Sequence, residues 1–106
     1  MEFKDFVLSK FDELKTKFKL KNEQYQGSNA DQLANFRIGA RIKYGDASYE
    51  HMYECAKDYV RKHIAYIESH NIMGKTVQDS LTDIAIYAVI MLYMRKCAEQ
   101  QAQQEK

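Results

Sequence analysis

Apolar positions recur at three- and four-residue steps along most of the chain, which predicts a series of helices. The first helix carries its apolar residues in one such series: Phe3, Val7, Phe11, Leu14 and Phe18. The pattern breaks from Asn22 to Asn29, which ends in turn residues. A helix start is expected at Ser28 to Asp31. The second helix carries Leu33, Phe36 and Ala40 and ends at Gly45.

The second half of the chain predicts two longer helices. Ser48 is a suitable N-cap for the third, which should run to about Ser69. Its apolar stripe consists of Tyr49, Met52, Tyr53, Ala56, Val60, Ile64 and Ile67. A loop with Gly74 as its turn residue follows. The fourth helix should begin near Thr76, where Thr76 and Asp79 have the spacing of a capping box.

The fourth helix has the most apolar segment of the chain. Apolar side chains cover nearly the whole circumference of residues 84–94, so we expect a central, buried helix. The run is too short to span a bilayer. Asp83 lies at the head of this run, inside the helix, where a carboxylate is costly unless a cation or hydrogen-bond donors meet it. Asp83 is therefore expected to have a partner.

The length and composition of the chain limit the fold classes that we expect. The chain has 106 residues and no proline, which fits one all-α domain of long helices with short connections. We predict a four-helix, bundle-like single domain over residues 1–97 that self-associates as a homodimer or higher oligomer. From Ala98 to Lys106 only alanine and polar residues remain, so this tail is expected to fray.

The net charge limits the classes of partner that we expect, and the two cysteines indicate the cellular compartment. The net charge is +1, which does not favour nucleic acid or an anionic membrane as the partner. Cys55 and Cys97 are far apart in sequence and lack metal-ligand spacing, which favours reduced thiols in a cytoplasmic protein. No signal peptide is recognisable at the N-terminus.

Carboxylates at four-residue steps are the main candidates for chemistry. The third helix carries Glu50, Glu54 and Asp58, and the fourth carries Asp79 and Asp83. Acids from two facing helices can build a site for Mg²⁺ or Mn²⁺, whose remaining ligands are phosphate oxygens and water. For the acids of the third helix, the alternative is a solvated face relieved by neighbouring basic residues.

Asp83 has two interpretations as well. It is a functional carboxylate, or it forms a structural salt bridge with Arg37, Arg41 or a lysine of another helix. His63 falls within the apolar stripe of the third helix, where a core histidine with one hydrogen bond is favoured over a ligand or base. The sequence has no Walker loop, GxSxG or HExxH motif. Any chemistry is therefore expected to be metal-assisted attack by water.

The order of the motifs resembles a known family. The matching segments are Lys21-Asn-x-x-Tyr25, Asn35-Phe-Arg37, Asp58-x-x-Arg-Lys62 and Asp79-Ser-Leu-Thr-Asp83-Ile-Ala-Ile-Tyr87. Together they resemble the small phage and bacterial helical domains found near nucleotide-modification genes, which are similar to the MazG-like all-α nucleotide pyrophosphohydrolases. The resemblance spans residues 18 to 94.

This resemblance implies a phage-encoded protein of the host cytoplasm that binds a nucleoside triphosphate through Mg²⁺. Water would then cleave it to a monophosphate and pyrophosphate. The implied metal ligands are Asp79, Asp83, Asp58 and Glu50. The implied catalytic carboxylates are Asp83, Asp79 and Glu54, and the implied nucleotide-binding residues are Lys21, Tyr25 and Lys62.

The chain departs from the family at one motif. The Glu-Glu-x-x-Glu cluster of the pyrophosphohydrolases is absent, and Glu50 and Glu54 are the nearest substitutes. A helical protein that binds a nucleotide without hydrolysing it, or that inhibits a host protein, is therefore the alternative expectation.

Overall fold

The structure, a computed structural model, describes residues 2–26 and 33–105. In this part of the chain it contains four helices and no strands. They are α1 (Phe3–Gln26), α2 (Ala34–Tyr44), α3 (Tyr49–Glu68) and α4 (Val77–Gln104). The predicted all-α, bundle-like fold is confirmed. Self-association stays a prediction.

The chain divides into two compact units, Met1–Ala34 and Asn35–Lys106. The first unit contains α1, which runs to Gln26 and so continues past the break predicted at Asn22. Glutamine and glutamate favour helix, and the first glycine comes only at residue 27. Lys21 and Tyr25 therefore lie on a helix and not in a loop. The predicted helix start at residues 28–31 lies outside the described residues.

In the second unit, side chains fix the boundary between α2 and α3. Gly45 ends α2 with a φ of 86° and donates its N–H to the Arg41 carbonyl at 3.0 Å. Ser48 caps α3, because its Oγ accepts the N–H of His51 at 3.1 Å. Asp46 Oδ1 accepts the Ser48 N–H at 3.0 Å and lies 2.6 Å from Nδ1 of His51. The predicted cap and the bounds of α3 agree with the structure.

The start of α4 differs from the prediction. Thr76 has a φ of 68°, and its side chain makes no capping hydrogen bond. Its hydroxyl instead donates to the Tyr66 Oη at 2.7 Å, and Tyr66 in turn donates to the Lys75 carbonyl. The predicted capping box is wrong, because the left-handed backbone directs the hydroxyl towards α3. Gly74 is required in this turn, since a Cβ there would lie 2.8 Å from side-chain atoms of His70 and Val77.

The core of the second unit lies where α2 and α4 meet α3. Its buried side chains are Phe36, Ala40, Met52, Cys55, Ala56, Val77, Ser80, Met94 and Cys97. The ring of Phe36 contacts Tyr59 and Tyr87 edge-on, with centroids 5.8 and 6.2 Å apart. Both cysteines are buried and neither forms a disulfide.

The prediction of a fully buried helix over residues 84–94 is wrong. Only Met94 is buried in this run, whereas Val89 and Leu92 are 63% and 64% exposed. Within its unit α4 packs on α3 along one face, and apolar composition alone does not fix how many neighbours a helix has. Unlike the 84–94 run, the whole of α4 is long and apolar enough to cross a membrane, a criterion that helices of soluble proteins also meet.

The segment predicted to fray is helical as far as Gln104. Its fraying in solution stays a prediction, as does the single-domain organisation of residues 1–97.

Candidate functional site

The partner of Asp83 is a histidine on α3. His63 Nε2 lies 3.5 Å from Asp83 Oδ2, and the Asp83 side chain is 35% exposed. The carboxylate is thus half-buried, with one side against α3 and one side accessible to solvent. The structural alternative from the sequence named an arginine or a lysine as this partner. The contact that the structure gives to Asp83 comes from an imidazole.

The same imidazole also meets Ser80. His63 Nδ1 lies 3.2 Å from the Ser80 Oγ, and Ser80 is buried. Ser80 and Asp83 are three residues apart on α4 and therefore share the face that meets α3. We call His63, Ser80 and Asp83 the α3–α4 polar cluster.

One protonation state of His63 satisfies the whole cluster. If Nε2 carries the proton, its N–H is the ring group nearest to the Asp83 carboxylate, at 3.5 Å, and Nδ1 accepts the hydroxyl proton of Ser80. Because the Ser80 hydroxyl is enclosed, this set of Ser, His and Asp gives a substrate no access to a nucleophile. The accessible group of the cluster is the Asp83 carboxylate.

Asp79 lies one helical turn before Asp83 and is exposed. These two acids are the pair that the sequence placed on the last helix. In residues 2–26 and 33–105, no group of three or more His, Cys, Asp or Glu side chains is arranged to hold a metal ion. The four predicted metal ligands are therefore not gathered into one centre within the described part of the chain.

Asp58 has cationic partners. Its Oδ2 accepts from Lys43 Nζ of α2 at 2.9 Å, and its Oδ1 accepts from Arg61 at 2.6 Å. The hydrogen bond from Lys43 holds the pKa of Asp58 below its ordinary value of 3.8, and the Arg61 charge adds to this effect. Asp58 also raises the pKa of Lys43. Both oxygens of the carboxylate are thus engaged by the protein.

The other acids of α3 also fit the solvated-face interpretation. Glu54 pairs with Lys57 at 2.9 Å within α3. Glu50 is exposed and lines a groove beside α4. Relief of acid repulsion by neighbouring bases was the alternative that the sequence left open for this face, and the ion pairs of Glu54 and Asp58 match it.

The predicted phosphate-binding residues are distributed over both units. Lys62 is exposed on α3. Lys21 is exposed on α1 in the first unit, and the side chain of Tyr25 lies outside the described part of the structure.

Sequence reasoning missed Ser80 and missed that His63 is the partner of Asp83. Two signals were present. His63 lies in the apolar stripe of α3, and Ser80 and Asp83 have the spacing that places them on one face of α4. Only the pairing of α3 with α4 shows that these signals belong together.

Comparisons with protein-family models, with curated proteins and with solved structures gave no match to this chain.

Proposed function

We propose that this protein is a Mg²⁺-dependent nucleoside triphosphate pyrophosphohydrolase-like domain of the MazG-like type. The observation that carries the proposal is the half-buried Asp83 carboxylate, which His63 contacts from α3 and which Asp79 precedes by one turn on the same helix. The motif order described above supports the same class. Hydrolysis of a nucleoside triphosphate by water would give a nucleoside monophosphate and pyrophosphate.

The residues fit a metal that the nucleotide helps to hold. Mg²⁺ usually takes one or two protein carboxylates and completes its shell with phosphate oxygens and water. Asp83 and Asp79 supply such carboxylates, whereas Asp58 is engaged by Lys43 and Arg61. The ion would neutralise phosphate charge and lower the pKa of a bound water.

The chain's own groups have three tasks in this proposal. His63 keeps the Asp83 side chain in one orientation by contacting Oδ2. Lys62 acts as a point charge for the phosphates, a role that the family resemblance also assigns to Lys21. Glu54 is the remaining catalytic carboxylate of the proposal and must leave Lys57 to accept a proton from water. The site functions in the cytoplasm, where nucleoside triphosphates are available.

A second candidate function is nucleotide binding without hydrolysis, or inhibition of a host protein. The ion pairs of Asp58 and Glu54 favour it, because they leave α3 without a free pair of carboxylates at these positions. Such a protein is stabilised by its ligand through mass action and releases no product.

One sample distinguishes these candidates. The purified chain is heated with a panel of nucleoside triphosphates, with Mg²⁺ or with EDTA, and the same mixtures are analysed for pyrophosphate. A Mg²⁺-dependent rise in melting temperature with pyrophosphate release supports the hydrolase. A rise without product supports the binder, and no rise with any triphosphate excludes both nucleotide functions.

A further inference from the structure

The apolar side of α1 is exposed to solvent. At about 100° per residue, its five apolar residues lie within about 80° of one another around the helix. We call this set the α1 stripe: Phe3, Val7, Phe11, Leu14 and Phe18. Phe3 and Phe11 are 84% and 62% exposed, and Phe18 is also exposed. Exposed aromatic rings along one side of a helix mark an interaction surface.

The charges of α1 are arranged around the α1 stripe. The helix contains six lysines and four acids. The lysines flank the stripe on both sides, with Lys4, Lys15 and Lys19 on one and Lys10, Lys17 and Lys21 on the other. Three of the acids lie on the opposite side of the helix, within about 40° of its centre: Asp5, Asp12 and Glu23. The helix therefore has an apolar side with two cationic borders and, opposite them, an acidic side.

Two of the flanking lysines are partly covered by their surroundings. Lys10 and Lys17 are half-buried. Lys10 Nζ lies 5.5 Å from the ring centroid of Phe6 and 2.8 Å from Oε2 of Glu13. A lysine lays its methylene groups on apolar surface and extends its ammonium group away from it. At a membrane surface, this places the ammonium groups among the lipid phosphates while the neighbouring rings enter the acyl boundary.

The spacing of the α1 stripe favours a flat surface over a coiled-coil partner. Phe3 and Leu14 are eleven residues apart, and so are Val7 and Phe18. A left-handed coiled coil requires an apolar repeat of seven residues, which this stripe does not follow. A nucleic acid would match the lysines but would offer no apolar phase to the exposed rings. The arrangement fits a lipid surface, which supplies an apolar layer beneath anionic phosphates.

We propose that α1 binds the surface of a phospholipid bilayer that contains anionic lipids. The α1 stripe enters the acyl boundary, and the flanking lysines meet the phosphates. The net charge of +1 is a sum over the whole chain and does not reveal this arrangement, because the acids of α1 lie on the side that faces water. The proposal does not rest on the nucleotide function, since neither the stripe nor Lys15 and Lys19 have a role in it.

Vesicle co-sedimentation of the full chain tests the apolar contact. The probes are vesicles of phosphatidylcholine alone and vesicles of phosphatidylcholine with phosphatidylserine, and the wild-type chain should bind the mixed vesicles more tightly. Phe11→Ser should weaken this binding about tenfold or more, whereas Phe11→Leu should retain it, because an apolar side chain still enters the acyl boundary. Leu20→Ser is the matched control, since Leu20 is 57% exposed on the same helix but lies on the polar side. It should keep the wild-type affinity.

The lysines are tested with a pair of double variants. Lys15→Gln with Lys19→Gln should weaken binding to the mixed vesicles by about fivefold for each lysine. Lys75→Gln with Lys96→Gln is the control, because it lowers the net charge equally through two exposed lysines outside α1. It should bind like the wild-type chain. In 1 M NaCl, with a screening length of about 3 Å, the two double variants should converge. Circular dichroism checks that each variant keeps its helix content.

Three results would overturn the proposal. They are a wild-type chain that sediments with neither kind of vesicle, equal losses in Phe11→Ser and Leu20→Ser, and equal losses in the two lysine double variants. The last result would show that binding follows net charge and not the arrangement on α1. A wild-type chain that ignores vesicles but self-associates, with loss of association in Phe11→Ser, would assign the α1 stripe to a second copy of the chain.

Discussion

Asp58 and Asp83 were both expected to bind metal, yet the two carboxylates differ in exposure and in the side chains that contact them. Asp58 is exposed on α3 and is held by a lysine and an arginine. Asp83 is half-buried on α4, and the structure gives it one histidine contact at the long distance of 3.5 Å. The difference shows that charge spacing in sequence does not identify a free carboxylate. What matters is which helix packs beside it and with which side chain.

The largest expected effect on stability comes from removing the histidine of the α3–α4 polar cluster. His63→Ala leaves the buried Ser80 hydroxyl without its imidazole partner and should cost about 1–3 kcal/mol of stability. Urea unfolding followed by circular dichroism measures this change. Lys43→Ala, the equivalent removal at Asp58, is the control and should change stability less, because that pair is exposed and water replaces it. Equal losses in the two variants would contradict the comparison.

A second effect concerns ligand binding. Asp83→Asn keeps the shape of the side chain but removes its charge, so Mg²⁺-dependent nucleotide binding should weaken about tenfold or more, or about 1.4 kcal/mol. Calorimetric titration measures the affinity. Asp58→Asn, whose parent carboxylate is already paired, should bind within about twofold of the wild-type chain. A larger loss of affinity in Asp58→Asn than in Asp83→Asn would indicate that the metal site lies on α3.

A smaller effect appears on acidification. The pKa of Asp58 is lowered from 3.8 in the folded chain, chiefly by the Lys43 hydrogen bond. Its contribution to stability is therefore present above pH 3.8 and is lost as the pH falls through the lower, folded-state value. Melting temperatures of the wild-type chain and Asp58→Asn should differ at pH 6, and the difference should shrink as the pH falls below 3.8. A difference that stays constant as the pH falls would show that the substitution acts through packing.

The smallest effect is that of salt on the same pair. Since Lys43 and Asp58 are exposed, 1 M NaCl, with a screening length of about 3 Å, should remove most of the difference between the wild-type chain and Lys43→Met. The loss caused by His63→Ala should be nearly independent of salt, because it arises from a buried hydroxyl. Melting curves at low and high salt test both statements.

Local signals in the sequence predicted much of the fold. The cap at Ser48, the end of α2 at Gly45 and the bounds of α3 depend on neighbouring residues, and all were predictable. The start of α4 depends on a contact between Thr76 and Tyr66 of the preceding helix. A capping motif read from four consecutive residues could not anticipate this contact.

The site was predictable in part for a similar reason. The cost of a carboxylate in an apolar helix indicated that Asp83 has a partner. The identity of that partner depends on the alignment of α3 with α4, which brings residue 63 beside residues 80 and 83. Periodicity gives the face of each helix but not the height at which two helices meet, so the histidine was not assigned to this role.

Asp83 and Leu92 lie on different sides of α4, which has a consequence for any partner of this helix. At about 100° per residue, Asp83 is about half a turn around α4 from Leu92, which is 64% exposed. A partner that covers Leu92 would therefore leave the Asp83 carboxylate uncovered. Its binding should leave the nucleotide affinity unchanged, so the coupling free energy between the two sites should be near zero.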